Sequence, residues 1–369
     1  MPHRRPGYRE TVTHHLTRDE ARRIVVRAQL LDAERPSNVV EVAEQLGQIK
    51  IDPTNTIAPA EHSVLWARIG GGYEAHQLTM AVEHDHQLFE HIGTFKPISL
   101  LPLMLPGMRR EPTREKHRQW LEANAVFKRE VLARLTAEGP LLASEIPDTA
   151  AVAAKDDGWY GPNQVPLMLE TLQLQGEIGV VGREGRLKRF DIAQRAFPPN
   201  LPEHPLEESE RMLNERRLQA FGLAKQRSPF TPVGDAGEAA TVEGSTWKWR
   251  VDPAALAALD DDPGGRVAFL NPYDGLLFDR PRLSELFEFD YVLEQFKKKH
   301  ERRYGFFAYP ILVGDRFVGM LEAEVDRTRE LLVVAAVHEF LPFEAEEDEL
   351  VRAELAALAD WLGVDLQAR

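Results

Sequence analysis

Between residues 162 and 192 an apolar helical run passes directly into a two-stranded hairpin, an order that few small folds accommodate. Gly161-Pro162 opens a helix carrying Val165, Leu167, Leu169, Leu172 and Leu174, and Gly176 ends it. Residues 177–182 and 187–192 read as strands around Arg183-Glu184-Gly185-Arg186, a loop containing the glycine that a tight hairpin needs. A helix followed by a basic-tipped hairpin is the order of a recognition helix and its wing in a winged-helix module. Arg183, Arg186, Lys188 and Arg189 stand there against Glu177 and Glu184, so they are the expected phosphate contacts. A solubilising hairpin tip is the competing reading.

The N-terminal third offers a weaker version of the same plan. Thr17 and Glu20 form a capping box ahead of Ala21, Ile24, Val25, Ala28 and Leu31, which share one helical face. A second helix follows Pro36-Ser37 and stops at Gly47, and Gln48-Ile49-Lys50-Ile51-Asp52-Pro53 alternates like a short strand. A third helix is expected over residues 59–69. The expected fold is therefore α+β, with tandem winged helices and a smaller β-rich C-terminal domain. Its divisions are 14–110 for the first module and 111–200 for a connecting helix (113–137) with the basic-winged module. A helix and linker then occupy 201–245, and the C-terminal domain 246–369. Leu141–Ile146 reads as a short helix. In the last domain three strands are expected at 304–313, 316–325 and 330–338, followed by an acidic amphipathic helix from Glu344 to Trp361.

The formal net charge of −14 argues against a nucleic-acid partner at first sight. Its distribution does not. Residues 1–140 hold 19 basic and 18 acidic side chains, whereas residues 201–369 hold 20 and 33. The chain has no cysteine, which excludes disulfides, thiolate metal sites and a cysteine nucleophile. It shows no apolar leader and no 18-residue apolar run, so a cytoplasmic protein without membrane contact is expected. His84 and His86, beside Glu83 and Asp85, read as a solvated face, and no metal is expected. Trp159 and Tyr160 precede the second recognition helix and read as packing for the wing. Lys297-Lys298-Lys299-His300 with Arg302-Arg303 is a second basic run, which either faces DNA or marks a helix end.

Three strings carry a family resemblance. Asn271-Pro272-Tyr273-Asp274-Gly275-Leu276-Leu277-Phe278-Asp279-Arg280 runs on to Arg282 and Leu286-Phe287-Glu288-Phe289-Asp290-Tyr291. Arg302-Arg303-Tyr304-Gly305-Phe306 is followed by Tyr309-Pro310-Ile311-Leu312 and Phe317-Val318-Gly319. Near the N-terminus stand Ile51-Asp52-Pro53-Thr54-Asn55, then Ala60, His62, Leu65-Trp66 and Arg68. Together they resemble the YcaQ/AlkZ family of DNA glycosylases over roughly residues 14 to 340. The resemblance implies excision of alkylated purines from duplex DNA by a monomer, with bulky adducts and crosslinks among the family's substrates, and no cofactor.

It also implies a site on the strand at 48–52, where the family carries glutamine, an apolar residue, then aspartate or glutamine. An N-alkylated purine is cationic and already a good leaving group. The enzyme then has to stabilise an oxocarbenium-like sugar and orient a water, which a carboxylate with a neighbouring amide can do. The aspartate is Asp52, but Lys50 stands at the glutamine position. An ammonium ~4 Å from a cationic transition state costs ~4 kcal/mol at an effective dielectric of ~20. Three fates for Lys50 stay open: a phosphate or Asp52 partner in a protein that binds without excising, a bystander while Gln48 supplies the amide, or an amine nucleophile. Two further departures are Pro59, where an arginine is expected before Ala60, and the segment from Glu90-His91 to Ser99-Leu100-Leu101-Pro102, whose internal histidine is replaced near Thr94. His62 and His91 are implied DNA contacts; for His91 a partly buried helix-end histidine competes. A damage sensor or transcriptional regulator without catalysis is the alternative function.

Overall fold

Residues 13–154, 162–261 and 264–368 are described by the computed structural model; Trp159, Tyr160 and Gly161 lie outside them. Local chemistry sets many element ends. Thr17 caps the helix Arg18–Ala28 in a reciprocal box with Glu20. The Asn38 side chain accepts from the Glu41 amide (2.9 Å) to start Val39–Leu46, which Gly47 stops at φ 70°. Ala60–Ile69 begins directly after Pro59. The helix expected over 113–137 is two, Glu115–Ala123 and Ala125–Glu138. Buried Asn124 makes the break: its amide nitrogen donates to the Trp120 and Val152 carbonyls (both 2.9 Å), and its oxygen accepts from the Ala151 and Val152 amides. Those bonds compete with the helical ladder. Leu141–Ile146 is no helix either. Leu141–Leu142 pairs with Phe190 and Arg189 as a short strand, and a 3-10 turn follows.

Clustering of contacts divides the chain into two compact units, and neither is a consecutive stretch. One comprises residues 38–51 and 74–213; the other comprises 1–37, 52–73 and 214–369. The chain therefore changes unit at 37/38, 51/52, 73/74 and 213/214. Pairings more than 200 residues apart explain this, since local pattern carries no trace of them.

In the first of these units a six-stranded antiparallel sheet runs in the order Ile49–Lys50, Thr94–Pro97, Leu88–His91, Ile178–Glu184, Leu187–Ile192, Leu141–Leu142. The helix Val165–Leu174 precedes the hairpin as expected, and Phe127, Val131, Leu135, Leu169, Leu172 and Phe190 lie in one core.

The second unit holds two sheets. Thr13–Leu16 pairs in parallel with Glu238–Val242, and Trp249–Val251 and Leu223–Lys225 complete a four-stranded sheet. Three expected C-terminal strands appear as Tyr309–Val313, Arg316–Asp326 and Leu331–Glu339, flanked by Val267–Phe269 and Asp365–Ala368. The acidic helix is Ala345–Leu362. No described helix is long and apolar enough to cross a membrane.

A buried ion pair lies within this unit. Arg68 and Asp274, both 0% exposed, meet through two parallel contacts, Nη1 to Oδ2 and Nη2 to Oδ1, the latter at 3.0 Å. Arg68 also donates to the carbonyls of Gln29 and Val64, and Asp274 accepts from the Leu276 amide. Arg68→Met is expected to cost about 3–5 kcal/mol, because Asp274 keeps its burial and loses its counter-charge. Adding Asp274→Asn, which preserves the bond from Leu276, is expected to restore much of that loss in urea denaturation. An unchanged denaturation midpoint for Arg68→Met contradicts this account.

Candidate active site

The strand Ile49–Lys50 buries Ile49 and leaves Gln48 exposed, with the Gln48 amide oxygen accepting from Lys96 (2.9 Å). The alternation stops at Lys50, so Asp52 lies beyond the strand. The Lys50 ammonium donates to the carbonyls of Ile51 (2.9 Å) and Gly93 (3.2 Å). Gly93 (φ 67°) and Ile92 (φ 41°) form the two-residue turn between Leu88–His91 and Thr94–Pro97. A β-branched residue in the left-handed region is strained. The turn is held by the Ile51 amide on the Gly93 carbonyl (2.9 Å), by Lys50, and by the Thr94 hydroxyl on the His91 carbonyl (2.7 Å).

His91 ends a strand, where the sequence suggested a helix end. Burial first, and then the Lys96 charge, push its pKa down to about 4, so the ring is neutral near pH 7.

The basic hairpin is largely paired within its own unit. Arg183 Nη2 and Lys188 Nζ lie 2.6 and 2.7 Å from the two carboxylate oxygens of Glu90, whose side chain is 1% exposed. The Glu90 carbonyl accepts from Gln173 on the preceding helix (2.8 Å). Arg189 reaches Glu184 (2.7 Å) and Glu145 (3.7 Å). Arg186, at the tip, is exposed and forms no ion pair among the described residues. In the sequence Glu90 marks only the start of a segment, and the lone carboxylate directly after apolar Leu88 and Phe89 was the available signal.

Asp52, in the other unit, is clasped at the entry to the helix Ala60–Ile69. Its Oδ1 accepts from the Thr54 amide (2.9 Å), its carbonyl from the Ala60 amide (3.1 Å), and its own amide donates to Glu61 Oε2 (3.2 Å). No described residue donates to Oδ2. His62 Nδ1 lies 2.7 Å from the hydroxyl of fully buried Tyr73. Burial lowers the His62 pKa, and burial followed by the Glu61 charge raises that of Tyr73. Trp361 donates to the Tyr73 carbonyl (3.0 Å) and stacks on Trp66 at 5.5 Å. Glu61 and Tyr73 were missed from sequence. Glu61 adjoins His62 in the first helical turn, but Tyr73 lies 11 residues away and carries no motif. Carboxylates and a neutral imidazole are the side-chain types that can orient water and face positive charge, and Asp52, Glu61 and His62 all belong to this short stretch of chain. Among the described residues no three metal-binding side chains converge.

The depressed His91 value has a sign. The unfolded chain takes up this proton near pH 6.5 and the folded chain near 4, so stability falls as pH drops through that window. The contribution is at most about 1.4 kcal/mol per pH unit. His91→Gln is expected to flatten the dependence of unfolding free energy on pH between 6.5 and 4. Parallel curves for the two proteins contradict the assignment.

The family model described as "DNA glycosylase AlkZ-like" matches residues 43–361. The solved structure of Streptomyces sahachiroi DNA glycosylase AlkZ superposes with a TM-score of 0.61 at 17% identity, covering 95% of this chain and 98% of that one. At that identity the likeness is one of fold. The family match covers well over half of the sequence, and on that extent the chain belongs to the AlkZ-like DNA glycosylase family.

Proposed function

We propose that this protein excises N-alkylated purines from double-stranded DNA by hydrolysing the N-glycosidic bond, acting as a monomer. The observation that carries the reading is Asp52: its backbone is held by Ala60 and Glu61, the Thr54 amide fixes Oδ1 of its half-buried carboxylate, and no described residue donates to Oδ2. In the reaction the C1′–N9 bond breaks and the base leaves with the electron pair, which neutralises an N7-alkylated ring. Asp52 stabilises the developing sugar cation and takes the proton of the water whose oxygen bonds to C1′. Glu61 holds the Asp52 backbone through its amide, and Glu61 and His62 are the neighbouring groups that would orient the water. Lys50 serves the Ile92–Gly93 turn through its two carbonyl contacts. The order of helix Val165–Leu174 and hairpin supports a winged-helix reading of this unit's DNA face, with Arg186 and the rest of the hairpin as phosphate contacts and His91 as a further DNA contact. A first winged helix ahead of it is carried by the sequence order alone.

A second reading is favoured by Lys50 at the glutamine position: a duplex binder that recognises damage without excising. An excision assay separates the two. Incubation with duplex containing 7-methylguanine is expected to produce abasic sites, and Asp52→Asn to lower the rate about 10²–10³-fold while binding persists. Binding without abasic sites means the second reading; full activity in Asp52→Asn means the wrong carboxylate. Borohydride trapping is expected to give no covalent complex, and a trapped adduct lost in Lys50→Gln would make Lys50 the nucleophile. Arg186→Ala is expected to reduce the steepness of log K against log salt by about 0.9, the signature of one phosphate contact.

A further inference from the structure

The second basic run lies on a built loop. Residues 294–303 carry five basic and two acidic side chains, in a stretch (201–369) whose own balance is −13. Glu294, its side chain 5% exposed, closes the neck of the loop: Oε2 accepts from the Arg303 and Tyr304 amides (both 2.8 Å) and Oε1 from Lys297 Nζ (2.8 Å). Arg302 Nε donates to the Lys297 carbonyl across the loop (3.0 Å), and its guanidinium stacks over Phe306 at 5.0 Å. Gln295 donates to the Tyr273 hydroxyl (2.8 Å). These bonds fix the loop from both sides.

What the loop presents is unusual. Phe296 is 89% exposed, the most exposed large apolar side chain described. Lys298 and Lys299 beside it are exposed and form no ion pair among the described residues, and the Arg303 guanidinium lies over the face of Tyr304 (4.8 Å). An aromatic ring left in water gains nothing for folding, and a well-tied loop that holds it there between unpaired cations matches a surface both anionic and stackable. The bases and phosphates of a nucleic acid supply both; an acidic peptide supplies only the charge.

We infer that residues 295–303 form a second DNA-contacting element, in which Phe296 wedges against or between bases while Lys298 and Lys299 hold the adjacent phosphates. The inference rests on the proposed action at duplex DNA. Neither the catalytic carboxylate nor the basic hairpin takes part in it.

The test uses the full chain and a duplex in which 2-aminopurine, which brightens when unstacked, flanks the lesion. Wild type is expected to bind and raise the fluorescence. Phe296→Ala is expected to bind about tenfold more weakly with an unchanged salt slope and no fluorescence rise, and Phe296→Trp to restore both. The double variant Lys298→Ala/Lys299→Ala is expected to lose about 1.8 from the salt slope and to keep the fluorescence rise. Phe296 and the two lysines are exposed, so equal thermal midpoints will accompany these effects. If wild type binds and excises and the variants match it in affinity, slope and fluorescence, the loop inference falls and the glycosylase reading stands. If wild type binds no duplex, both fall. Phe296-dependent binding to phosphatidylserine vesicles with duplex binding unaltered overturns the inference in favour of a membrane surface.

Discussion

A cation and an anion with no access to water, Arg68 and Asp274, sit where the family-like strings of the sequence meet. Each string supplies a piece. Arg68 closes the N-terminal string, Asp274 lies in the middle of the second, and Tyr309 of the third accepts a hydrogen bond from the Asn271 amide (3.1 Å) within 3.4 Å of the Ser63 hydroxyl. Asp279 accepts from the Ser228 and Thr231 hydroxyls (3.0 and 2.8 Å) and caps the turn at Arg282. Arg266 donates to the carbonyls of Leu30, Asp32 and Ala67 near the ends of two helices, and burial lowers its pKa to about 9. Buried polar groups of this kind tolerate little substitution, since removing one partner strands the other. Much of what makes those strings recognisable is therefore scaffold chemistry. The candidate carboxylate, Asp52, is a small part of it.

How far the chain could be read without coordinates depends on the range of the forces involved. Capping boxes, a glycine stop and a two-strand hairpin are encoded within a few residues, and Thr17, Gly47 and the strands around Gly185 appear where spacing put them. The helix break at Asn124 was hidden because its cause lies at residues 151 and 152. The parallel pairing of Thr13–Leu16 with Glu238–Val242, and the strands Val267–Phe269 and Asp365–Ala368, were hidden for the same reason. The interleaving of the two compact units follows from such pairings.

The candidate site was half legible. Asp52 and His62 were marked by resemblance, and each has local bonds suited to a fixed role. Glu61 and Tyr73 went unnoticed: a first-turn glutamate looks like ordinary helix-dipole chemistry, and a lone tyrosine after three glycines looks like a loop. Lys50 was legible as an anomaly but not as a solution. Its length lets the ammonium reach past the backbone to a carbonyl 43 residues on, and periodicity says nothing about that reach.

Glu90 has an effect on search. By cancelling one of the two charges of Arg183 and Lys188, it reduces the charge with which the hairpin can attract a phosphate. A tight grip on intact duplex would slow departure from each wrong place, and a protein hunting rare lesions spends nearly all its encounters in wrong places. If the hairpin is the DNA reader proposed above, partial self-neutralisation would shorten those visits, and the same ion pairs would hold its aim.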